Sequence, residues 1–264
     1  MIFEVENQFR AIALDIAKIN TAIEKAMQSQ SHSECYTQEE AENYHDYIRL
    51  MADLDWPAYI NGDPAFHQVV LDRYESEGEK GVVSAIYDYY GALFLKDLEE
   101  QLAQSNVIKK DRLPLFREAF LLYQLGYYYG AVAILINQIV GITADIENFL
   151  KNNNASYDPK TLELMEKRYR VTSTTDTGRV MTAVVEGKNI DDDEGEYGYL
   201  LGYLRFKVFN SHMPKEETQK HTNRHLLCHG AQLNYGTKEH ALKIILCIDA
   251  LMWVGEVIAD NLGD

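Results

Sequence analysis

Apolar residues recur every three to four positions along most of this chain, the spacing that lines one face of an α-helix. Phe9, Ile12, Ile16, Ile19 and Ile23 set this period over residues 3–28, with charges between them. A Ser/Glu/Gln-rich stretch (28–42) predicts a break before a second, more polar helix. Trp56-Pro57 and Asn61-Gly62-Asp63-Pro64 read as loops, and helical patterns follow over 64–77 and 81–104. Residues 106–113 form a connector, and further helices are expected at 114–125 and 128–151. The turn signal Asn152-Asn153-Asn154 precedes a short helix over 162–169, loops at 171–178 and 189–195, and a helix over 197–209. The clearest segment is 239–262, apolar almost without interruption from Ala241 to Val254, which predicts a helix deep in the core. No alternating strand pattern competes with these helices, so the fold class is all-α. The connector suggests two parts, an acidic helical region over 1–110 and a helical domain over 111–264.

Composition agrees with a folded, helix-rich protein. Hydrophobic residues make up 46% and charged residues 25% of 264, and five prolines are few enough to favour helices over turn-rich sheet. The first residues lack the basic head and apolar core of a signal peptide. The longest apolar run, 131–142, is broken by Asn137 and Gln138 and falls short of the roughly 20 residues of a membrane span. Cys35, Cys228 and Cys247 are odd in number and widely separated, unlike a disulfide framework or a zinc ribbon. These features together predict a cytoplasmic protein without a membrane segment. Tyr89-Tyr90-Gly91-Ala92 and Tyr128-Tyr129-Gly130-Ala131 are alike, and glycine there would let a neighbouring helix approach.

The formal charge of −16 opposes nucleic-acid binding over the surface as a whole. It is unevenly spread. Residues 1–105 hold 7 basic and 20 acidic side chains, whereas 199–243 hold 7 basic and 3 acidic. Inside that less acidic stretch lies Asn223-Arg224-His225-Leu226-Leu227-Cys228-His229-Gly230. An arginine is permanently charged and suits phosphate oxygens. An imidazole carries a proton near neutral pH. Those are the two requirements for cutting a phosphodiester without a metal. Residues five apart on an α-helix point about 140° away from each other, so Arg224 and His229 share a site only if the helix begins close to Arg224. Asn223 is suited to cap such a helix.

Arg224, four intervening residues and His229, set between an upstream helix and a closing apolar helix, resemble the motif of the HEPN superfamily over roughly residues 113–262. The resemblance implies a helical bundle of HEPN type and a metal-independent endoribonuclease of the toxin or phage-defence kind, with no cofactor. Arg224 would stabilise the transition-state phosphate, while His229 and His225 would move the two protons. Asn223 and Gln138, the latter where relatives place a polar residue facing the motif, would contact substrate. RNA would be the substrate, a homodimer would form the cleft, and an antitoxin or regulatory protein would be a possible partner. A non-catalytic HEPN-fold binding or scaffold protein is the alternative.

Competing uses of the same residues are concrete. Asp249 stands alone in an apolar run, and a buried carboxylate needs a partner that Arg224 would supply. Gln138 suits an amide satisfied inside a helix interface. Cys228 suits a small core residue. His221, His225 and His229 fall at four-residue steps that would chelate zinc on one helix. The absence of a zincin glutamate, and a helix starting after His221, argue against a metal there. The acidic run 191–196 lacks EF-hand spacing, and the basic cluster 167–170 suits a solvated helix end.

Overall fold

A computed structural model describes residues 38–57, 63–152, 200, 203–210, 213–214 and 216–262. The described residues form helices and connecting loops and contain no strand, an all-α fold. The expected helices over 3–28 and 162–169, the loops at 171–178 and 189–195, Cys35, the acidic run and the 167–170 cluster lie outside them.

Helix α1 (Gln38–Asp53) packs on α2 (Pro64–Glu77), and α2 packs in turn on α3 (Glu79–Tyr89). Asp63 starts α2 by accepting the Ala65 amide at 2.9 Å, with Pro64 at the first helical position, where a missing N–H costs nothing. The helix expected over 81–104 is two helices, α3 and α4 (Ala92–Gln104), because the chain leaves helical geometry at Tyr90. The Tyr90 ring is buried there against Phe66 and Phe94, so the break serves aromatic packing rather than local preference. The two Tyr-Tyr-Gly-Ala segments are therefore not equivalent. The first spans this break, and the second opens a long helix where Gly130 lies against Leu122.

Ser105 shapes the connector by accepting the amides of Val107 and Ile108 at 3.2 and 3.0 Å. A 3-10 turn (Lys110–Arg112) leads into α5 (Leu113–Gln124). Helix α6 (Tyr128–Asn152) runs between α5 and α8 (Lys238–Leu262), and these three helices contribute much of the buried apolar core. The Tyr128–Ile146 portion of α6 is long and apolar enough to cross a membrane by length and composition, but Val132, Leu135, Ile136 and Ile139 are wholly buried between the neighbouring helices. Its apolarity is that of a central helix. From Ala241 to Val254, α8 is buried at all but one position, Trp253, as its apolar pattern predicts. Within the expected 197–209 helix, Leu204–Val208 is π-helical, and the Phe209 amide donates five residues back to Leu204 at 2.8 Å.

Candidate functional site

The arginine–histidine motif sits on a single helical turn, α7 (Arg224–Cys228), held against α6. Asn223 is fully buried and starts it. Its Oδ1 accepts the Leu226 amide at 3.0 Å, while its Nδ2 donates to the carbonyls of Lys207 and Asn210 at 3.2 and 2.7 Å. Gln232 completes the frame, accepting the Asn223 amide at 2.9 Å and donating to the carbonyls of Thr218 and His221 at 2.9 and 2.7 Å. Every bond in this frame involves a side chain that is itself buried, so the turn is fixed although it is too short to be stable alone.

Gly230 ends the turn. Its φ of 66° lies in the left-handed region, its amide donates to Leu227 at 3.0 Å, and the Ala231 amide donates to Leu226 at 2.8 Å. This pair of bonds is the Schellman closure that glycine favours. Arg224 thus occupies the first position of the turn and His229 its C-terminal cap. The five-residue spacing works because no second turn exists to carry the two side chains apart.

His225 and His229 are both exposed, and their rings lie 4.4 Å apart between centroids. Arg224 is half-buried, makes no ion pair among the described residues, and its Nε has no hydrogen-bond partner. Beside the turn is an open cleft of about 540 Å³, bordered by Leu226, Met213, Leu233 and Asn234. The arrangement offers one permanent cation, two solvent-facing imidazoles and an adjoining surface with both apolar and amide groups.

The remaining candidates lie elsewhere. Gln138 is buried, and its Oε1 accepts from Arg112 Nη1 at 3.1 Å. An α6 side chain that does meet the motif turn is its neighbour Asn137, whose Oδ1 is 3.9 Å from Cys228 Sγ. Cys228 is exposed rather than a core residue, because the turn is a surface element. Asp249 makes no ion pair with Arg224. It lies near buried Tyr90 and the more exposed Tyr89, and burial pushes its carboxyl up to about 7. Asn223 is wholly committed to protein groups, so its contribution is to position the turn.

His221 does not extend a histidine stripe, because α7 begins three residues after it. It joins a second polar cluster that sequence reasoning missed. His221 is fully buried, and its Nε2 lies 3.4 Å from Asp55 Oδ2 and 3.6 Å from Glu217 Oε2. Lys207, in the π-helical segment, reaches Asp55 Oδ1 at 3.0 Å and Glu217 Oε2 at 2.9 Å. The close approach of His221 and the ammonium of Lys207 hold the Asp55 carboxyl well below the usual carboxylate range. Lys243 is buried nearby, bound to Glu239 at 2.6 Å and lying 4.8 Å from the centre of the Trp56 ring. Residues 55 and 217 share no local pattern, so only folding reveals their proximity.

No family model, curated protein or solved structure matches this chain.

Proposed function

We propose that this protein is a metal-independent endoribonuclease of HEPN type, with Arg224, His225 and His229 as its working groups. The observation that carries the reading is the display of these three residues on one rigid turn. The two imidazoles are solvent-facing and in ring contact, and the arginine is free of ion pairs among the described residues.

In this reaction one imidazole takes the proton of a ribose 2′-hydroxyl as its oxygen bonds to phosphorus. The bond from phosphorus to the 5′-oxygen breaks, and the other imidazole, in its protonated form, supplies the proton to that oxygen. Arg224 stabilises the charge that builds on the non-bridging oxygens. The products are a 2′,3′-cyclic phosphate and a 5′-hydroxyl. The cleft beside Leu226 suits a flanking base, offering an apolar wall and the Asn234 amide. A homodimer fits the same reading, with exposed Leu125, Tyr127, Tyr129 and Leu233 available for an apolar contact. A toxin or phage-defence role, and an antitoxin-like partner, belong to the reading through the family resemblance.

The strong negative charge and this apolar surface also favour a second reading, a HEPN-fold scaffold that binds protein without cleaving RNA. One experiment separates them. Full-length protein is incubated with total cellular RNA in excess EDTA, beside Arg224→Ala and His229→Ala variants whose folding is verified by circular dichroism. Cleavage that survives the chelator, leaves cyclic-phosphate ends and vanishes in both variants supports the nuclease. No cleavage by the wild type either with or without the chelator, or cleavage unchanged in both variants, rejects these residues as its machinery.

A further inference from the structure

We infer that Asp55, Glu217 and His221 form a binding site for a first-row divalent cation such as zinc, and that this ion ties the turn after α1 to the segment carrying the arginine–histidine motif. Their ligand atoms all lie within 4.8 Å of one another.

His221 is the observation that goes beyond an acidic cluster. Its side chain is fully buried, and its Nε2 makes no hydrogen bond although two carboxylates stand before it. A buried polar nitrogen left unbonded is costly and calls for a partner, and at His221, unlike at buried His67 and His240, two carboxylate oxygens stand close enough to share an ion with it. The separations point the same way. Tetrahedral bonds of about 2.1 Å place neighbouring ligand atoms about 3.4 Å apart, longer than a hydrogen bond of about 2.9 Å. Nε2 stands 3.4 and 3.6 Å from the two carboxylate oxygens.

The surroundings suit such an ion. The Tyr203 hydroxyl is 3.4 Å from His221 Nδ1, the outer contact that fixes the tautomer of a ligating imidazole. Lys207 binds Asp55 through Oδ1, which leaves Oδ2 facing His221, whereas at Glu217 the ion would take Oε2, the oxygen that Lys207 also holds. Nitrogen and carboxylate donors of this kind are those of zinc sites.

The connection made by the ion follows from the chain. Asp55 lies in the turn after α1, with φ of 58°, and Trp56 beside it is buried near Lys243. His221 precedes Asn223 by two residues, and its carbonyl is held by Gln232 in the frame that fixes the motif turn.

Full-length protein stripped with EDTA and equilibrated with Zn²⁺ should retain one equivalent by elemental analysis and gain thermal stability from it. Glu217→Gln, a partly exposed substitution that spares the fold, and His221→Gln should each weaken zinc binding at least about 10-fold. Cobalt in place of zinc should give the intense visible bands of a tetrahedral ion, lost in Glu217→Gln. Absence of stoichiometric zinc on the wild type, or unchanged affinity in Glu217→Gln, overturns the site. Zinc lost instead in His225→Ala/His229→Ala and kept in Glu217→Gln assigns the ion to the surface histidine pair and overturns it equally.

Discussion

Arg112 grips Asp145 through two nitrogens, Nε to Oδ2 at 2.7 Å and Nη2 to Oδ1 at 3.1 Å, and so fastens the connector before α5 to the middle of α6. The Lys109 amide adds a bond to Oδ2 at 3.1 Å, and Arg112 gives two further donors to Gln138 Oε1 and the Gly141 carbonyl. The Asp145 side chain is buried, so its charge has no water to fall back on. Gly141 belongs to the same device: any Cβ there would overlap the guanidinium.

Arg112→Ala should therefore destabilise the protein by about 3–5 kcal/mol, because it leaves a buried carboxylate with only the Lys109 amide and its more distant, exposed ammonium. Arg112→Lys should recover little, since an ammonium cannot reproduce the two-pronged contact. Gly141→Ala should resemble Arg112→Ala more closely than an ordinary helix substitution, where alanine normally stabilises. Urea denaturation of the three variants checks the order. A stable Gly141→Ala would show that the guanidinium has somewhere else to go.

Asp249 makes a pH-dependent contribution whose sign is fixed by burial. Its carboxyl is pushed up to about 7 in the folded protein and titrates near 4 when unfolded. Between these values the folded state holds the proton and the unfolded state does not, so stability falls as pH rises from 4 to 7. Each pH unit is worth about 1.4 kcal/mol, which bounds the loss at about 4 kcal/mol. The groups facing it, Tyr89 and Tyr90, stay neutral throughout that range, since burial raises both hydroxyls. The stability difference between wild type and Asp249→Asn should move steadily in favour of the variant from pH 4 to 8. A flat difference would place the ionisation elsewhere.

How much of this was legible in the sequence depends on the distance over which each feature is determined. Helices α2, α5, α6 and α8 follow apolar periodicity, and their limits fall close to those expected. The Asn223 cap is also local, written in the residue before Arg224. The break at Tyr90 was missed because helical periodicity continues through it, and its cause, Phe66, comes from another helix. Arg112 with Asp145, and Asp55 with His221, are pairings across 33 and 166 positions that no spacing rule encodes. Gln138 is the interface amide that its apolar setting suggests, and it serves Arg112 and not the motif turn. Asp249 stood out as a lone carboxylate, yet its neighbours are tyrosines. Charge patterns identify which groups need partners; only packing decides which partners they receive.

Asn223 should behave as a positioning residue. Asn223→Asp keeps an acceptor for the Leu226 amide but cannot donate to the Lys207 and Asn210 carbonyls. Asn223→Ala loses all three bonds. Losses of about 1–3 kcal/mol are expected for each, the larger for alanine. Hydrogen exchange should show the 207–210 segment loosening in both variants, because the amide is its tie to the motif turn. Exchange confined to 224–228 would mean that the cap matters and the tie does not.

Gly230 gives the sharpest test of whether the turn itself matters for the proposed chemistry. Its φ of 66° strains any residue with a side chain, although a Cβ there meets no atom within 4 Å. Gly230→Ala should therefore cost about 1 kcal/mol through the backbone alone, and Gly230→Asn distinctly less, since asparagine tolerates the left-handed region. His229 is the adjoining cap, so any shift in that backbone moves its ring relative to His225. RNA cleavage by Gly230→Ala should then fall by more than its small change in melting temperature explains, and Gly230→Asn should restore most of both. If stability recovers in the asparagine variant while cleavage is the same in all three proteins, the placement of His229 is not what the reaction depends on.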